Sequence, residues 1–446
     1  MILRPYQQRA IESARRMFAG GCRRILLVAP TGSGKTAVGS QLALNHVSKG
    51  GSVLWLAHRA ELVEQAAASL NGLGLVVGVI GASVEGDERP DAPVQVAMLQ
   101  TLMARPEVRP VASLLICDEA HHLAAPEWSA VVAHYDDRPR IGLTATPERG
   151  DGRGLRGVFD GIVPVASIRE LTDGGFLVPC EVLAPAKLLK RNELAQSIPD
   201  AFRAYCCGRK TIVFCSSVAA AHDAVSDLRG IGVRAAAVLG ETETDERREA
   251  IAAFRAGSLD ALANVFCLTE GFDAPETSAA IIARGCGSAG MFLQIVGRIL
   301  RPAMGKLSAV LVDLRGVVHQ HGDPDAQRVY SLDGAGISVA DGVRFCEVCG
   351  RAFESASEPP CGQCGWSPAV GQTVEEIVTL DIALERYASK RAEGDDARAR
   401  TLFRWIREGE SKRYKQGWAF TKYKAVYSEA PSLGVRDLAR TLCEAS

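Results

Sequence analysis

The chain lacks any apolar run near the roughly 18 residues that a transmembrane helix requires, so neither a membrane span nor a membrane partner is expected. It also lacks an apolar stretch at its start, where Arg4, Arg9 and Glu12 intervene. No secretory leader is expected there, and a cytoplasmic location is. Charge of neither sign dominates, since 51 basic against 52 acidic residues leave a net charge of −1. Any affinity for nucleic acid must therefore come from local patches. Neither a short-period repeat nor a low-complexity tract is present. What is there is an ordinary globular balance, 47% hydrophobic and 23% charged over 446 residues, enough for large cores and about three domains. Of the 13 cysteines, nine stand singly or in apolar context, Cys117 and Cys267 among them, and read as buried thiols of a reducing compartment.

The most informative segment is Ala29-Pro30-Thr31-Gly32-Ser33-Gly34-Lys35-Thr36. It follows the apolar run Ile25–Val28 and opens a stretch with helical spacing at Val38, Leu42 and His46. A strand, a glycine loop and a helix start in that order make a phosphate cradle. Gly32 and Gly34 let backbone N–H groups turn toward a phosphate with no Cβ in the way. Lys35 supplies a point charge for the β/γ-phosphates, and the Thr36 hydroxyl suits Mg²⁺. Ala29 stands where the strict pattern has glycine. The segment implies binding of a nucleoside triphosphate, with Pro30, Thr31 and Ser33 in the same loop.

Short apolar runs alternate with helical patterns through residues 1–165, with strands expected at Ile25–Ala29, Val53–Ala57, Val76–Ile80, Val94–Leu99, Leu114–Cys117 and Ile141–Thr144. Such alternation implies an α/β protein with a parallel sheet covered on both faces. After the glycine-rich link at 149–154 the rhythm resumes at Thr211–Cys215, Ala235–Leu239, Ala261–Asn264, Ala280–Ala283 and Ala309–Asp313, now without a phosphate loop. Two like lobes with one nucleotide loop suggest a site closed between them. Beyond about residue 320 the rhythm is lost.

A nucleotide loop alone does not separate a kinase from a motor. The run Leu114–Cys117 ends in Asp118 and Glu119 and continues Ala120-His121-His122. Asp118 at a strand end can hold Mg²⁺ through water, and Glu119 can orient and deprotonate a water attacking the γ-phosphate of ATP. Farther on, Gln294, Arg298 and Arg301 fall at i, i+4 and i+7 of an expected helix whose other residues are mostly apolar. Buried guanidinium groups need an anionic partner, and a triphosphate held by the first lobe would be one.

The Asp118–His121 tetrad resembles the DEAH form of the second motif in superfamily 2 helicases, and further segments of that family's series follow in order. Leu3-Arg4-Pro5-Tyr6-Gln7 resembles the adenine-recognition segment, which implies that Gln7 hydrogen-bonds the base with Arg4 assisting. Leu56–Leu62 and Leu99–Leu102 resemble strand-contacting motifs, with Thr101 on a phosphate, and Thr144–Pro147 resembles the coupling motif. Ile212–Ser216, Leu268–Pro275 and Gln294–Arg301 resemble the fourth, fifth and sixth motifs. By this resemblance Gly271 and Asp273 join the nucleotide-contacting residues, and Gln294, Arg298 and Arg301 complete catalysis with Lys35, Asp118 and Glu119. Over residues 1 to about 365 the chain looks most like bacterial RadD-type DNA-repair helicases and related phage enzymes, departing in its single cysteine cluster and short tail. Gln294 stands where RNA helicases of the DEAD-box group carry histidine, which favours DNA.

Cys346-x-x-Cys349 and Cys361-x-x-Cys364, separated by 11 residues, have the spacing of a four-thiolate Zn²⁺ ribbon, with Gly350 and Gly365 permitting the knuckle turns. Between residues 400 and 424, Arg400, Arg404, Arg407, Lys412, Arg413 and Lys415 interleave with Phe403, Trp405, Tyr414 and Trp418. That pattern suits a single strand, and equally a small helical subdomain with an aromatic core. The whole reads as two tandem RecA-like parallel-sheet lobes at 1–165 and 166–320, a zinc ribbon at 340–370 and a helical region at 371–446. The expected function is ATP-dependent movement on nucleic acid, with single-stranded or forked DNA as partner. A duplex translocase, an RNA helicase and a non-catalytic ATP-gated clamp remain open.

Overall fold

Buried strands alternating with amphipathic helices build two parallel sheets. The computed structural model describes residues 3–81, 89–147, 154–269, 272–333, 337–339, 344–345, 352–353 and 377–387. Gly271, the cysteines at 346, 349, 361 and 364, residues 149–153 of the glycine link, and the 400–424 segment lie outside them.

In the first lobe, α1 (Pro5–Ala19) precedes β1 (Arg24–Val28), α2 (Lys35–Val47), β2 (Val53–Ala57), α3 (Ala60–Asn71), β3 (Val77–Ile80), β4 (Val94–Met98), α4 (Leu99–Ala104) and β5 (Leu114–Asp118). Then come α5 (Pro126–Val132), β6 (Arg140–Thr144) and β7 (Gly161–Pro164). The strands lie in the order β3-β4-β2-β5-β6-β1-β7 and run parallel. Every residue of β2, β5 and β6 is buried, as a strand covered by helices on both faces requires. Registers Val28↔Thr144 and Asp118↔Leu143 bring the carboxyl ends of β1, β5 and β6 to one edge, where such sheets bind ligands.

The second lobe adds α6 (Ile168–Asp173), β8 (Cys180–Ala184), β9 (Thr211–Cys215), α7 (Val218–Gly230), β10 (Ala235–Ala237), α8 (Thr244–Ala256), β11 (Ala261–Asn264), β12 (Ala279–Ala283), α9 (Ala289–Ile299) and β13 (Ala309–Asp313). Its parallel order is β10-β11-β9-β12-β13-β8, edged by a very short strand that begins at Glu385. Strands β7 and β8 were not expected from the sequence: Pro164 ends one and Pro179 precedes the other, so neither shows a long apolar run.

Two features depart from expectation. Helix α9, capped by the Ser288 hydroxyl on the Met291 N–H at 3.1 Å, ends at Ile299. Arg301 is therefore not on the helix with Gln294 and Arg298; it precedes Pro302, and a residue before proline is disfavoured in helical conformation. The stretch after residue 320, which carries no strand rhythm, returns to the first lobe. Leu332 is buried there in the cluster containing Leu26, Val28, Leu155 and Phe159, and its carbonyl accepts from Leu155 N at 2.7 Å and Arg156 N at 3.0 Å. Arg156 pairs with Asp333 at 2.6 Å, and Arg169 with Asp325 at 3.2 Å. Both ion pairs are exposed, so the buried leucine contributes most of the attachment.

Among the isolated thiols, Cys117, Cys206, Cys215 and Cys286 are buried as expected, while Cys22, Cys180 and Cys267 are half-buried and Cys207 is exposed. Burial pushes the Cys117 and Cys215 thiols up to about 12, which keeps them neutral and unreactive.

Candidate nucleotide site between the lobes

The phosphate loop leaves β1 and turns back into α2 through two left-handed glycines, Gly32 at φ +87° and Gly34 at φ +81°. A side chain at either position would be strained. Gly34 has a second reason to be bare: a Cβ there would stand 2.6 Å from Gln7 Nε2. That nitrogen donates to the Ser33 carbonyl at 3.0 Å, and Tyr6 Oη donates to the same oxygen at 2.7 Å. The Gln7 carbonyl accepts from Arg4 N at 2.9 Å. The Gln7 amide thus braces the loop through its nitrogen and caps the start of α1 through its oxygen. Arg4 lies 4.6 Å over the Phe176 ring, which meets Tyr6 edge-on at 5.4 Å.

Lys35 opens α2 with Thr36 half-buried beside it, and its Nζ stands 3.2 Å from Glu119 Oε1. Asp118 and Glu119 are both buried, 4% and 7% exposed, at the end of β5. Burial and the neighbouring Glu119 charge push the Asp118 carboxyl up to about 6, against the pull of Lys35 and the Glu119 N–H. Glu119 is one of two non-glycine residues at positive φ among those described, at φ 47°. Such a conformation costs about 1–3 kcal/mol and persists where the surroundings hold it. They do so here: His121 Nδ1 lies 3.5 Å from Glu119 Oε2 and 3.1 Å from Thr144 Oγ1, whose hydroxyl donates to the Thr146 carbonyl at 2.6 Å. The second motif and the coupling motif are therefore in contact.

The second lobe meets this cradle directly. A Cβ on Gly297 of α9 would lie 2.4 Å from Thr31 Cβ, and one on Gly32 would lie 3.2 Å from Arg301 Cγ and 3.1 Å from Leu177 Cδ2. Arg301 bonds Asp273 through Nη1, while its buried Nε has no hydrogen-bond partner. Lys306 fixes the Arg301 backbone, its ammonium reaching the carbonyls of Arg301 at 2.6 Å, Pro275 at 2.8 Å and Thr277 at 2.6 Å. Burial lowers its pKa to about 8. Arg298 behaves differently from expectation. Its guanidinium clasps the carbonyls of Thr269 and, at 2.7 Å, Phe272, so carbonyl dipoles of the fifth motif serve it here. Gln294 is buried on the same helix, one turn earlier.

Sequence reasoning missed Phe176, Leu177 and Lys306. None lies in a recognisable motif, though the lone lysine between Gly305 and Leu307 was a weak signal. Thr101, expected at a nucleic-acid phosphate, lies in α4 with its hydroxyl buried and without a hydrogen-bond partner. Thr269 donates to the Phe266 carbonyl at 2.6 Å.

The residues fit a magnesium–triphosphate. The Ser33 hydroxyl is buried without a partner, the glycine cradle admits no Cβ, and the buried Glu119 carboxyl stands against the Lys35 ammonium. A phosphate loop on one parallel-sheet lobe, with the other lobe's arginine seated on it, defines a two-lobed motor of the nucleoside-triphosphate-hydrolysing kind.

Comparison with known proteins agrees. Residues 1–149 match the family model of the type III restriction enzyme res subunit, and residues 197–303 match the helicase conserved C-terminal domain. Over 348 residues the chain is 31% identical to a candidate mitochondrial ATP-dependent helicase, irc3, of Schizosaccharomyces pombe, covering 70% of this chain and 57% of that one. It is 27% identical to the DNA 3'-5' translocase XPB2 of Sulfurisphaera tokodaii, over 67% of this chain and 78% of that one. A fragment structure of a candidate HsdR subunit of a type I restriction enzyme from Vibrio vulnificus YJ016 superposes with a TM-score of 0.57 at 26% identity, covering 79% of this chain and 70% of that one. The chain belongs to the superfamily 2 helicases and is a nucleic-acid-dependent ATPase of that class.

Two predictions follow from the geometry. Gly297→Ala drives a Cβ into Thr31 and forces α9 off the phosphate loop, so kcat for ATP falls by about tenfold or more while nucleotide affinity changes less; steady-state kinetics with an unchanged kcat would contradict this. Asp118→Asn tests the burial penalty in protein free of nucleotide and metal. The folded pKa, about 6, exceeds the ordinary 3.8, so the ionised wild-type carboxyl opposes folding fully above pH 6 and not at all below about pH 4. The variant should therefore melt a few degrees higher than wild type at pH values above 6, with the gap closing as pH falls toward 4. Thermal unfolding across that range, showing no such convergence, would count against it.

Proposed function

We propose that the chain is an ATP-driven translocase on DNA, acting on single-stranded or forked substrates. In this reading Lys35 and the loop N–H groups of 30–36 hold the triphosphate, Thr36 and Asp118 hold Mg²⁺, and Glu119 activates the attacking water. The magnesium ion, when bound, neutralises charge developing on the transferred phosphoryl oxygens. Arg301 answers the same charge from the second lobe. Arg298 acts one step back, shaping the segment that carries Gly271 and Asp273, and Gln294 lines the same helix. Arg4, Gln7 and Phe176 form the base-recognition side, which requires Gln7 to exchange a loop contact for the base.

The observation that carries the reading is the placement of the Arg301 side chain against Gly32, with an unpartnered Nε–H nearby. That Nε–H gains an anionic partner when phosphate is bound, while Nη1 keeps Asp273, so occupancy draws the lobes together and release of phosphate lets them part. If each lobe grips backbone phosphates, the cycle advances the protein without reading sequence. The match to a DNA translocase and the presence of Gln294 support DNA over RNA. The RadD-like order of segments supports a role in DNA repair or replication within the cytoplasm. Cys346, Cys349, Cys361 and Cys364 are proposed as a structural Zn²⁺ site, because two Cys-x-x-Cys pairs fill all four tetrahedral positions.

ATP turnover should be measured against single-stranded, duplex and forked DNA and the matching RNAs. DNA is expected to stimulate the wild type, and Lys35→Ala or Glu119→Gln should lower stimulated turnover by about a hundredfold or more. Stimulated turnover surviving in either variant would overturn the assignment of the site, and a preference for RNA would overturn the substrate. Separately, metal analysis should find about one zinc per chain, lost on Cys361→Ser; a zinc content unaffected by that change would remove the ribbon.

A further inference from the structure

One cluster of side chains lies beside the hydrolytic residues without belonging to them. Strands β2 and β5 pair in parallel with Leu56 opposite Cys117, so the residues just past both strand ends share one edge. That register sets His58 next to the turn at Ala120–Ala124. The His58 ring stands 4.8 Å from the His122 ring, and His122 stands 4.2 Å from His121. Trp128, 5% exposed, lies 6.3 Å from His122 in a stacked orientation of 16° and 6.1 Å from His58. His121 in turn contacts Glu119 and Thr144 at 3.5 and 3.1 Å.

At its other end the cluster touches the edge that resembles strand-contacting motifs. Arg59 Nε donates to His58 Nε2 at 3.3 Å, and Gln100 Nε2 donates to the His58 carbonyl at 3.2 Å. These contacts make one continuous run of packed groups from Arg59 through His58, His122 and His121 to the Glu119 carboxylate. The run is short and closely packed. Trp128 closes one side of His122, so a displacement of His58 cannot be absorbed by simple slippage of that ring. Its far end is the residue held at positive φ, where a small rotation of the turn redirects the carboxylate.

We propose that His58 and His122 are positioning residues that couple strand engagement near Arg59 and Gln100 to the orientation of Glu119, and so make ATP hydrolysis depend on nucleic acid. Neither imidazole needs contact with nucleotide or with the water attacking it. Each acts through its neighbour: strand contact moves Arg59 and the end of β2, His58 presses on His122, and the Ala120–Ala124 turn re-aims Glu119 away from Lys35. The inference rests on the reading of that edge as the place where a strand is held. A cluster that served packing alone would change stability and leave the ratio of stimulated to basal turnover where it was.

The test uses the full chain and a single-stranded oligothymidylate as the strand probe, with forked DNA as a second. Turnover with and without saturating strand is compared for wild type, His58→Ala, His122→Ala, the double variant and His122→Phe, with strand affinity measured by anisotropy. The stimulation ratio is expected to fall by about tenfold in each alanine variant as a kcat effect, with KM for ATP within about threefold. The double variant should be no worse than the weaker single variant, as for members of one path. His122→Phe, which keeps a flat ring against Trp128, should recover at least half of the ratio, and it carries the comparison with His58→Ala if His122→Ala does not fold. An unchanged ratio in the alanine variants, multiplicative losses in the double variant, or a loss explained wholly by strand affinity would overturn the inference while leaving the motor intact. A wild type stimulated by no nucleic acid would overturn the proposed function and this inference together.

Discussion

The whole arrangement depends on one close approach: α9 of the second lobe lies on the phosphate loop of the first, with Gly297 over Thr31 and no room for a methyl group between them. That contact seats Arg301 beside Gly32 and brings Leu177 to the same glycine. Without it, the nucleotide loop would be an ordinary cradle able to bind and unable to report. With it, a residue of the second lobe stands directly against the loop of the first. Glycine at 297 is thus required by the neighbour across the cleft, since the helix itself would be better served by alanine.

Around that contact the chain keeps its charges at close range and mostly out of water. Lys35 is paired with Glu119, Arg301 with Asp273, and Arg298 with backbone carbonyls. Low exposure strengthens the Lys35 and Arg298 interactions and makes an unpaired group there costly, while Asp273 stays half open to water. The site is consequently poised: a triphosphate arriving would replace protein partners of Lys35 and offer one to Arg301, while Asp118, raised to about 6 by burial, would be relieved by a cation. Glu119, at positive φ, is the junction of the set, touching Lys35 on one side and His121 on the other.

The return of the chain after β13 adds a mechanical constraint. Leu332 sits in the first lobe's core although it follows the last long strand of the second, and Leu155 and Arg156 hold its carbonyl. The two lobes are therefore joined by the link between them and again by this strap. A pair of bodies tied at two places opens along fewer directions than a pair tied at one, which suits a cycle that must return α9 to the same place on the loop.

Much of this was legible in the residues. Four strand spans, Val53–Ala57, Thr211–Cys215, Ala261–Asn264 and Ala309–Asp313, coincide with the runs expected from apolar patterning, and the phosphate loop and acid pair stand at strand ends as read. These are local properties: burial on both faces demands continuous apolar residues, and glycine at positive φ answers to its own backbone. Other features had no local signal. Arg298 clasps the fifth motif, Gln7 braces Ser33, and Leu332 crosses to the other lobe. Their partners are distant in sequence and become neighbours only when two sheets are laid against each other. The chemistry available to this protein was thus set by its order of residues, whereas which guanidinium lies against the phosphate loop, and which imidazole just past β2 packs behind the acid, were decided by packing between elements that carry no mark of one another.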